Sequence, residues 1–410
     1  MKIRRGPVSR RAQTSDVADV VREILREVSE TGDRAVLRYT AELDRAELAP
    51  EQLEVSAREL DASVGLLEPA VLRGLRTAIA NVDAVVEAQL RDSVSVQLPQ
   101  GHTVQVRELP VRRVGVYAPG ARAPYPSTLV MCAVTARAAG VDEIAVCTPP
   151  GPGGRAHPLI LAACVLCDVT EVYRIGGAQA IGALAYGTES VRKVDVIAGP
   201  GTAYVQEAKR QVVGEVAIDG IAGPSELVVI ASEGADPELV ALDLMAQAEH
   251  GADSPVAVIS TDRALLDEVV ARVERMAPQR PSVADAELQV AHVESPLAAL
   301  QMAEKVAPEH LQLVGAEAEA LAEEVRAAGC LFVGNGAATA FGDYVAGSNH
   351  VLPTGGAARY QSALSAATFR RRMARVSLPD GAPARLAPAG AALARAEGFP
   401  VHAESMERRA

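Results

Sequence analysis

The rhythm of apolar positions changes near residue 113. Between residues 15 and 95 they recur at helical spacing, as in "DVADVVREILREVSETGDRAVLRYTAEL", so this part is expected to be mainly helical. Beyond it, short apolar runs alternate with helical patterns. "RVGVYAPG", "EIAVCTPPG", "EVYRIGG" and "KVDVIAGPG" read as strands running into turns. "YPSTLVMCAVTARAAGV", "LILAACVLCDV", "AQAIGALAYG" and "TAYVQEAKRQVVG" read as the helices that follow them. Such alternation calls for a parallel sheet with helices on its faces. A second alternation comes later: "ELVVIAS", a helix over 236–250, "SPVAVIST", "RALLDEVVARVERMA", "LQVAHVES" and another helix. The two units share a pattern and no obvious sequence repeat. "GAPARLAPAGAA", rich in Pro, Gly and Ala, reads as a linker before a short tail.

Length and charge narrow the classes. A chain of 410 residues exceeds one comfortable core, so two or more domains are expected. The net charge of −12 argues against nucleic acid or an anionic membrane as partner. No run approaches the roughly 18 apolar residues of a membrane span. The basic start "MKIRRGPVSRRAQTSD" is followed by no apolar stretch, so it does not read as a secretory leader. Five cysteines without disulfide-like spacing point to a reducing cytoplasm. Cys164 and Cys167 form C-x-x-C, but inside an apolar helix and with no second pair, so both are expected in the core.

Candidate chemistry lies at turns and element ends. "YAPGARAPYPS", "RIGGAQAIG" and "AGPGTAYV" put glycine between a strand and a helix N-terminus, where backbone N–H groups can receive a pyrophosphate. None is G-x-G-x-x-G, and tight turning alone also asks for glycine. The 236–250 helix has Asp236 as N-cap, Pro237 at its first position and Gly251 at its C-terminal cap. Its last turn carries Gln247 and His250 on one face; a histidine there also suits the negative end of the helix dipole. In "KVAPEHLQLV", Pro308 disfavours helix at Ala307 and leaves Glu309 and His310 at a break, where both can face one cavity as an acid/base pair. "FGDYVAGSNHVLPT" carries Asp343, Asn349 and His350 in a glycine-interrupted loop, and His402 sits in the tail. Gln247, His250, Asp343 and His402 would make a mixed nitrogen and oxygen ligand set suited to zinc. Each also has an ordinary reading, as turn former, solvated helix end or surface histidine.

A longer resemblance decides between these readings. "AGPSELVVIASEGADPELVALDLMAQAEHGADS", "APEHLQLV" and "GDYVAGSNHVLPT", in that order, resemble the signature segments of the histidinol dehydrogenase family. So do "YAPGARAPYPST", "GGAQAIGALAYGTESV", "VDVIAGPGTAYVQEAKRQV" and "EGFPVHA". The resemblance covers nearly the whole chain beyond residue 100. It implies oxidation of L-histidinol through L-histidinal to L-histidine with two NAD⁺, the last step of histidine biosynthesis. By motif position it makes His310 the general base and Glu309 the residue that activates water. Gln247, His250, Asp343 and His402 become zinc ligands that also grip the substrate. Ser225, His350 and Glu397 become substrate contacts, and Tyr117, Gln179 and Thr202 lie at the NAD site. Thr202 stands where the family commonly has Asn, and Ala121 departs from the usual "PGG" of the first turn.

The resemblance further implies an α/β fold of two incomplete Rossmann-like units with parallel sheets, a helical N-terminal part and a small C-terminal segment. Residues 1–116 with 226–364 are expected to form a discontinuous domain bearing the metal and catalytic residues. Residues 117–225 would form the NAD-binding domain, and 365–410 a segment exchanged between the subunits of a homodimer with a shared active site. The alternatives are a zinc- and NAD-dependent dehydrogenase of another small alcohol, such as a sulfonated diol, and a non-catalytic α/β ligand-binding module.

Overall fold

The computed structural model describes residues 1–9, 17–120 and 124–410, so Ala121 lies outside the described residues. Two compact units are present: residues 1–88 with 112–369, and residues 89–111 with 370–410.

The larger unit holds two parallel sheets. The five-stranded sheet runs Glu171–Arg174, Glu143–Thr148, Arg113–Tyr117, Val196–Ala198, Ala217–Ile218. The six-stranded sheet runs Lys2–Arg5, Glu287–His292, Val256–Ser260, Leu227–Ala231, His310–Val314, Cys330–Val333. Apart from the strand Lys2–Arg5, both have the same order: the first strand is central, the next two lie on one side, and the last two on the other. Chain direction therefore reverses its progress beside Arg113–Tyr117 in one sheet and beside Leu227–Ala231 in the other, the position where α/β sheets open a crevice.

Strand alternation sorts the core of the six-stranded sheet. Leu227, Val229 and Ala231 pack against the helices Pro237–Ala248 and Arg263–Met276, through Leu244, Met245, Val269 and Val273. Val228 and Ile230, on the opposite face, meet Leu300 and Ala303 of the helix Pro296–Val306. Each such buried leucine or isoleucine contributes about 1.5–3 kcal/mol. Cys164 is fully buried in the helix Pro158–Leu166, and Cys167 is buried at its cap; both are free thiols.

Several expectations need correction. The basic start holds an edge strand, Lys2–Arg5, paired in parallel with Glu287–His292. The helices Ala18–Thr31 and Asp33–Leu43 share a core with Ile181 and Leu184 of the helix Gly177–Tyr186, so they cover the five-stranded sheet rather than the six-stranded one. Residues 89–111, which the resemblance grouped with the first domain, supply Val94–Gln97 and Thr103–Pro110. These strands form an antiparallel sheet with Arg370–Ser377 in the smaller unit. No short-range signal announces a pairing across more than 260 residues.

The expected linker is a helix, Ala382–Ala396, with Pro388 inside it, and the tail is a second helix, Pro400–Glu407. Alanine is the best helix former, and its frequency here outweighs one proline. The two pack through Ala391, Ala394 and Ala403, with Met406 alongside. A Cβ on Gly390 would lie 2.5 Å from the Met406 sulfur, so glycine permits their close approach. Among the described residues no helix is long and apolar enough to cross a membrane.

Candidate functional site

The helix Pro296–Val306 stops because Ala307 turns left-handed, at φ 48° and ψ 65°, before Pro308. This conformation costs an alanine roughly 1–2 kcal/mol. It turns both Glu309 and His310 inward, where they are 6% and 2% exposed. Glu309 Oε2 lies 3.5 Å from His310 Nδ1, so the break does place acid and imidazole in one enclosure.

Their surroundings set their states. The Glu226 carbonyl oxygen lies 3.0 Å from His310 Nδ1. A carbonyl only accepts, so Nδ1 carries the proton and Nε2 is left bare. That nitrogen points toward Asp343 Oδ1, 3.7 Å away. Burial lowers the His310 pKa against the opposing pull of Asp343, keeping the ring neutral. Glu309 accepts the Ser225 hydroxyl and the Glu226 N–H, the latter at 3.0 Å. Burial outweighs these bonds and pushes its carboxyl up to about 7.

A relay of hydrogen bonds extends from this pair. Gln247, 1% exposed near the end of its helix, donates Nε2 to Ser225 Oγ at 2.7 Å, and Ser225 donates on to Glu309. The carboxamide nitrogen is thereby engaged, and among the described residues its oxygen has no hydrogen-bond partner. Glu226, which the sequence reading passed over, accepts the Glu309 N–H and the Gly355 N–H, both at 3.3 Å. His350 donates Nδ1–H to the Asp343 carbonyl at 2.7 Å and accepts the Thr128 hydroxyl at 3.2 Å. His250 lies beyond the helix, which ends at Ala248 with Glu249 as cap; its N–H reaches back to the Gln247 carbonyl at 3.2 Å. The expected cap at Gly251 is therefore corrected by two residues. Among the described residues no group of three His, Cys, Asp or Glu side chains stands ready for a metal.

The remaining candidates divide between two places. Tyr117 ends the strand Arg113–Tyr117, and its phenol oxygen accepts the Gly177 N–H at 3.2 Å; burial raises its pKa. Gln179 is fully buried in the helix Gly177–Tyr186. Thr202 is the exposed N-cap of the helix Ala203–Gln211, without a side-chain cap bond. The turn before it is clamped by a buried ion pair absent from the sequence reading. Lys209 bonds Asp219 and also donates to the Gly199 carbonyl at 2.9 Å, while the Gly199 N–H bonds Asp219 at 2.8 Å. Gly199, at φ +120°, must be glycine, because a Cβ there would run into the Tyr117 carbonyl. The signal for the clamp was a lysine on the inward face of a helix. Glu397 and His402 belong to the smaller unit: Glu397 is the exposed C-cap of Ala382–Ala396, and the His402 ring rests on Phe399 at 5.3 Å.

Glycine turns at the ends of one parallel sheet and a buried carboxylate–imidazole pair in the other define an α/β enzyme of the dehydrogenase class. The chain belongs to the histidinol dehydrogenase family, whose sequence profile matches residues 8–410. "Histidinol dehydrogenase 2" of Nostoc sp. is 44% identical over 395 residues, 95% of this chain and 91% of that protein. "Histidinol dehydrogenase" of Gluconobacter oxydans is 42% identical over 98% of this chain and 94% of its own length. The crystal structure of histidinol dehydrogenase from Elizabethkingia anophelis superimposes with a TM-score of 0.94 at 32% identity, over 100% of this chain and 98% of that one. An NAD-dependent aldehyde dehydrogenase from Sinorhizobium meliloti, at 13% identity and a TM-score of 0.52, shares the fold alone.

Proposed function

We propose that this chain oxidises L-histidinol through enclosed L-histidinal to L-histidine, with two NAD⁺ used in succession, as the last step of histidine biosynthesis in the cytoplasm. Family membership across the chain supports the substrate, and the observation that carries the chemistry is the Glu309–His310 pair. His310, its Nδ1–H tied to a carbonyl, offers a bare Nε2 to take the alcohol proton as hydride departs. Glu309, poised near neutrality, takes a proton from the water that adds to the aldehyde, and the hydrate then gives up the second hydride. Each oxidation releases one hydride and one proton. Closely placed groups with separate roles fit one pocket serving both steps.

Gln247, His250 and Asp343, completed by His402 from a second copy of the chain, would hold zinc. The Gln247 oxygen, without a hydrogen-bond partner among the described residues, fits such a mixed donor set. When bound, zinc would grip and orient the substrate's imidazole and amino nitrogens rather than generate hydroxide. Ser225, His350 and Glu397 would contact the substrate, Glu397 through its ammonium group. Tyr117, Gln179 and Thr202 would line the NAD site.

The test is stoichiometry. L-Histidinol should yield two NADH per molecule, followed by absorbance, and a sulfonated diol none; one NADH per alcohol would sink the four-electron reading. The shared site has its own test. Co-refolding His310→Ala with His402→Ala should regenerate activity in mixed dimers, since one site then draws both intact residues from opposite chains. Inactive mixed dimers, verified by mass spectrometry, would remove the exchange.

A further inference from the structure

The turn before the helix Gly177–Tyr186 is already engaged by a carboxylate of this chain. Asp44, the C-cap of the helix Asp33–Leu43, accepts the Gly176 N–H and receives Gln179 Nε2 at 3.1 Å on its Oδ2. The fit is close: a Cβ on Gly176 would lie 2.7 Å from one Asp44 oxygen and 2.9 Å from the other. The place where a helix N-terminus would welcome an external anion is thus filled from within. A carboxylate has only acceptors, so it holds the Gln179 carboxamide in one orientation, nitrogen toward Asp44. The Gln179 oxygen is then directed to Gly177, where a Cβ would approach it to 2.6 Å. Gln179 is 0% exposed, and that oxygen has no hydrogen-bond partner among the described residues. An unmet buried acceptor is destabilising, and a donor from outside the chain would relieve it.

We propose that Asp44 is a positioning residue for the dinucleotide: it fixes Gln179 so that the carboxamide oxygen serves as acceptor to a hydroxyl or amide N–H of bound NAD. This rests on the reading of Gln179 as a residue of the NAD site. Asp44 touches neither substrate nor reacting atoms, so its effect is on cofactor affinity. Burial raises the Asp44 carboxyl to about 6, the bonds from Gly176 and Gln179 pulling the other way. Its neighbours are the Gly176 N–H, the Gln179 carboxamide and the Tyr117 phenol, the last neutral at any ordinary pH. Below about pH 6 the protonated acid becomes a donor, and Gln179 can turn its oxygen toward Asp44 and away from the cofactor.

The experiment measures NADH binding, by the fluorescence of NADH itself, alongside steady-state kinetics for Asp44→Ala, Asp44→Asn and Gln179→Ala. Asp44→Ala should raise the NADH Kd and the NAD⁺ KM roughly tenfold, the worth of one well-made hydrogen bond. The L-histidinol KM and the kcat at saturating NAD⁺ should stay within about twofold. Asp44→Asn retains an acceptor oxygen for Gln179 and should recover most of the affinity. NADH binding by the parent protein should weaken as pH falls from 8 to 5.5, and Asp44→Asn should abolish that weakening. If Gln179→Ala weakens NADH binding while Asp44→Ala lowers only Tm, Asp44 is merely structural and the inference is overturned. If Gln179→Ala itself leaves NADH binding unchanged, the cofactor reading of Gln179 fails first and takes the inference with it. Should Asp44→Ala not fold, the pH profile of Asp44→Asn decides alone: a slope equal to the parent's overturns the inference.

Discussion

The two parallel sheets of the larger unit share a strand order, the strand Lys2–Arg5 apart, but present their candidate functional residues at opposite edges. In the five-stranded sheet, Tyr117 ends its strand and Gly176 and Gly199 follow the C-terminal ends of theirs, on the side where helices begin. In the six-stranded sheet, Glu226, Glu309 and His310 stand at the N-terminal ends, where helices finish. Helix N-termini carry partial positive charge and helix C-termini partial negative charge. The first edge therefore favours anionic groups: Asp44 already meets one of its helix N-termini, at Gly176, and a pyrophosphate suits a neighbouring turn. The second, reached by the ends of Pro237–Ala248 and Pro296–Val306, suits a metal ion and a cationic substrate. The contrast extends to chemistry. The neutral imidazole of His310 and the Glu309 carboxyl, raised to about 7, lie together at the N-terminal edge, whereas the C-terminal edge holds glycine turns, a fixed ion pair, amide groups and the single raised carboxyl of Asp44. One topology can offer two kinds of site because its edges have opposite polarity.

The sharpest test of that division is His310→Ala. It should lower kcat for both oxidations by about 10²–10⁴-fold while NADH binding stays unchanged, since general-base catalysis contributes on this scale. A tenfold or larger loss of NADH affinity would mean that the two edges are not separable. Next in size, Glu309→Gln is nearly isosteric and should slow L-histidinal oxidation about 10²-fold, with the alcohol step much less affected. Half-reactions measured separately and found equally slow would refute the split of roles. At the other edge, Gly199→Ala should raise the NAD⁺ KM several-fold and cost about 1–3 kcal/mol of stability, because φ +120° is open only to glycine. An unchanged NAD⁺ KM, read beside the L-histidinol KM, would show that the clamped turn does not serve the cofactor. The smallest effect belongs to the core: Cys164→Ala should cost about 1 kcal/mol in urea unfolding, with kcat unaltered. Lost activity would contradict the burial of that thiol.

The strand–helix alternation was legible because the central parallel strands are buried and apolar on both faces and several of the helices between them carry side-chain caps. Asp236 indeed bonds the N–H groups of Glu238 and Leu239. Pro308 marked the break that turns Glu309 and His310 inward. The polarity of the edges was not legible, since it depends on which strand ends converge. Nor was Glu226, whose apolar neighbours make it look like the first residue of any strand. The pairing of Thr103–Pro110 with Arg370–Ser377 was invisible to local pattern, and alanine's helix propensity was misread as linker composition.

The pair of helices at the end of the chain has a consequence for how the protein breathes. Ala391, Ala394 and Ala403 bring only methyl groups to their contact, and the Arg395–Glu407 fork, 2.7 Å on each arm, lies in solvent where salt screens it. Little free energy resists local opening there. Amide hydrogens of Pro400–Glu407 should exchange with deuterium through brief local separation of the pair. Those of His310–Val314, paired on both sides in the middle of a sheet, should wait for global unfolding.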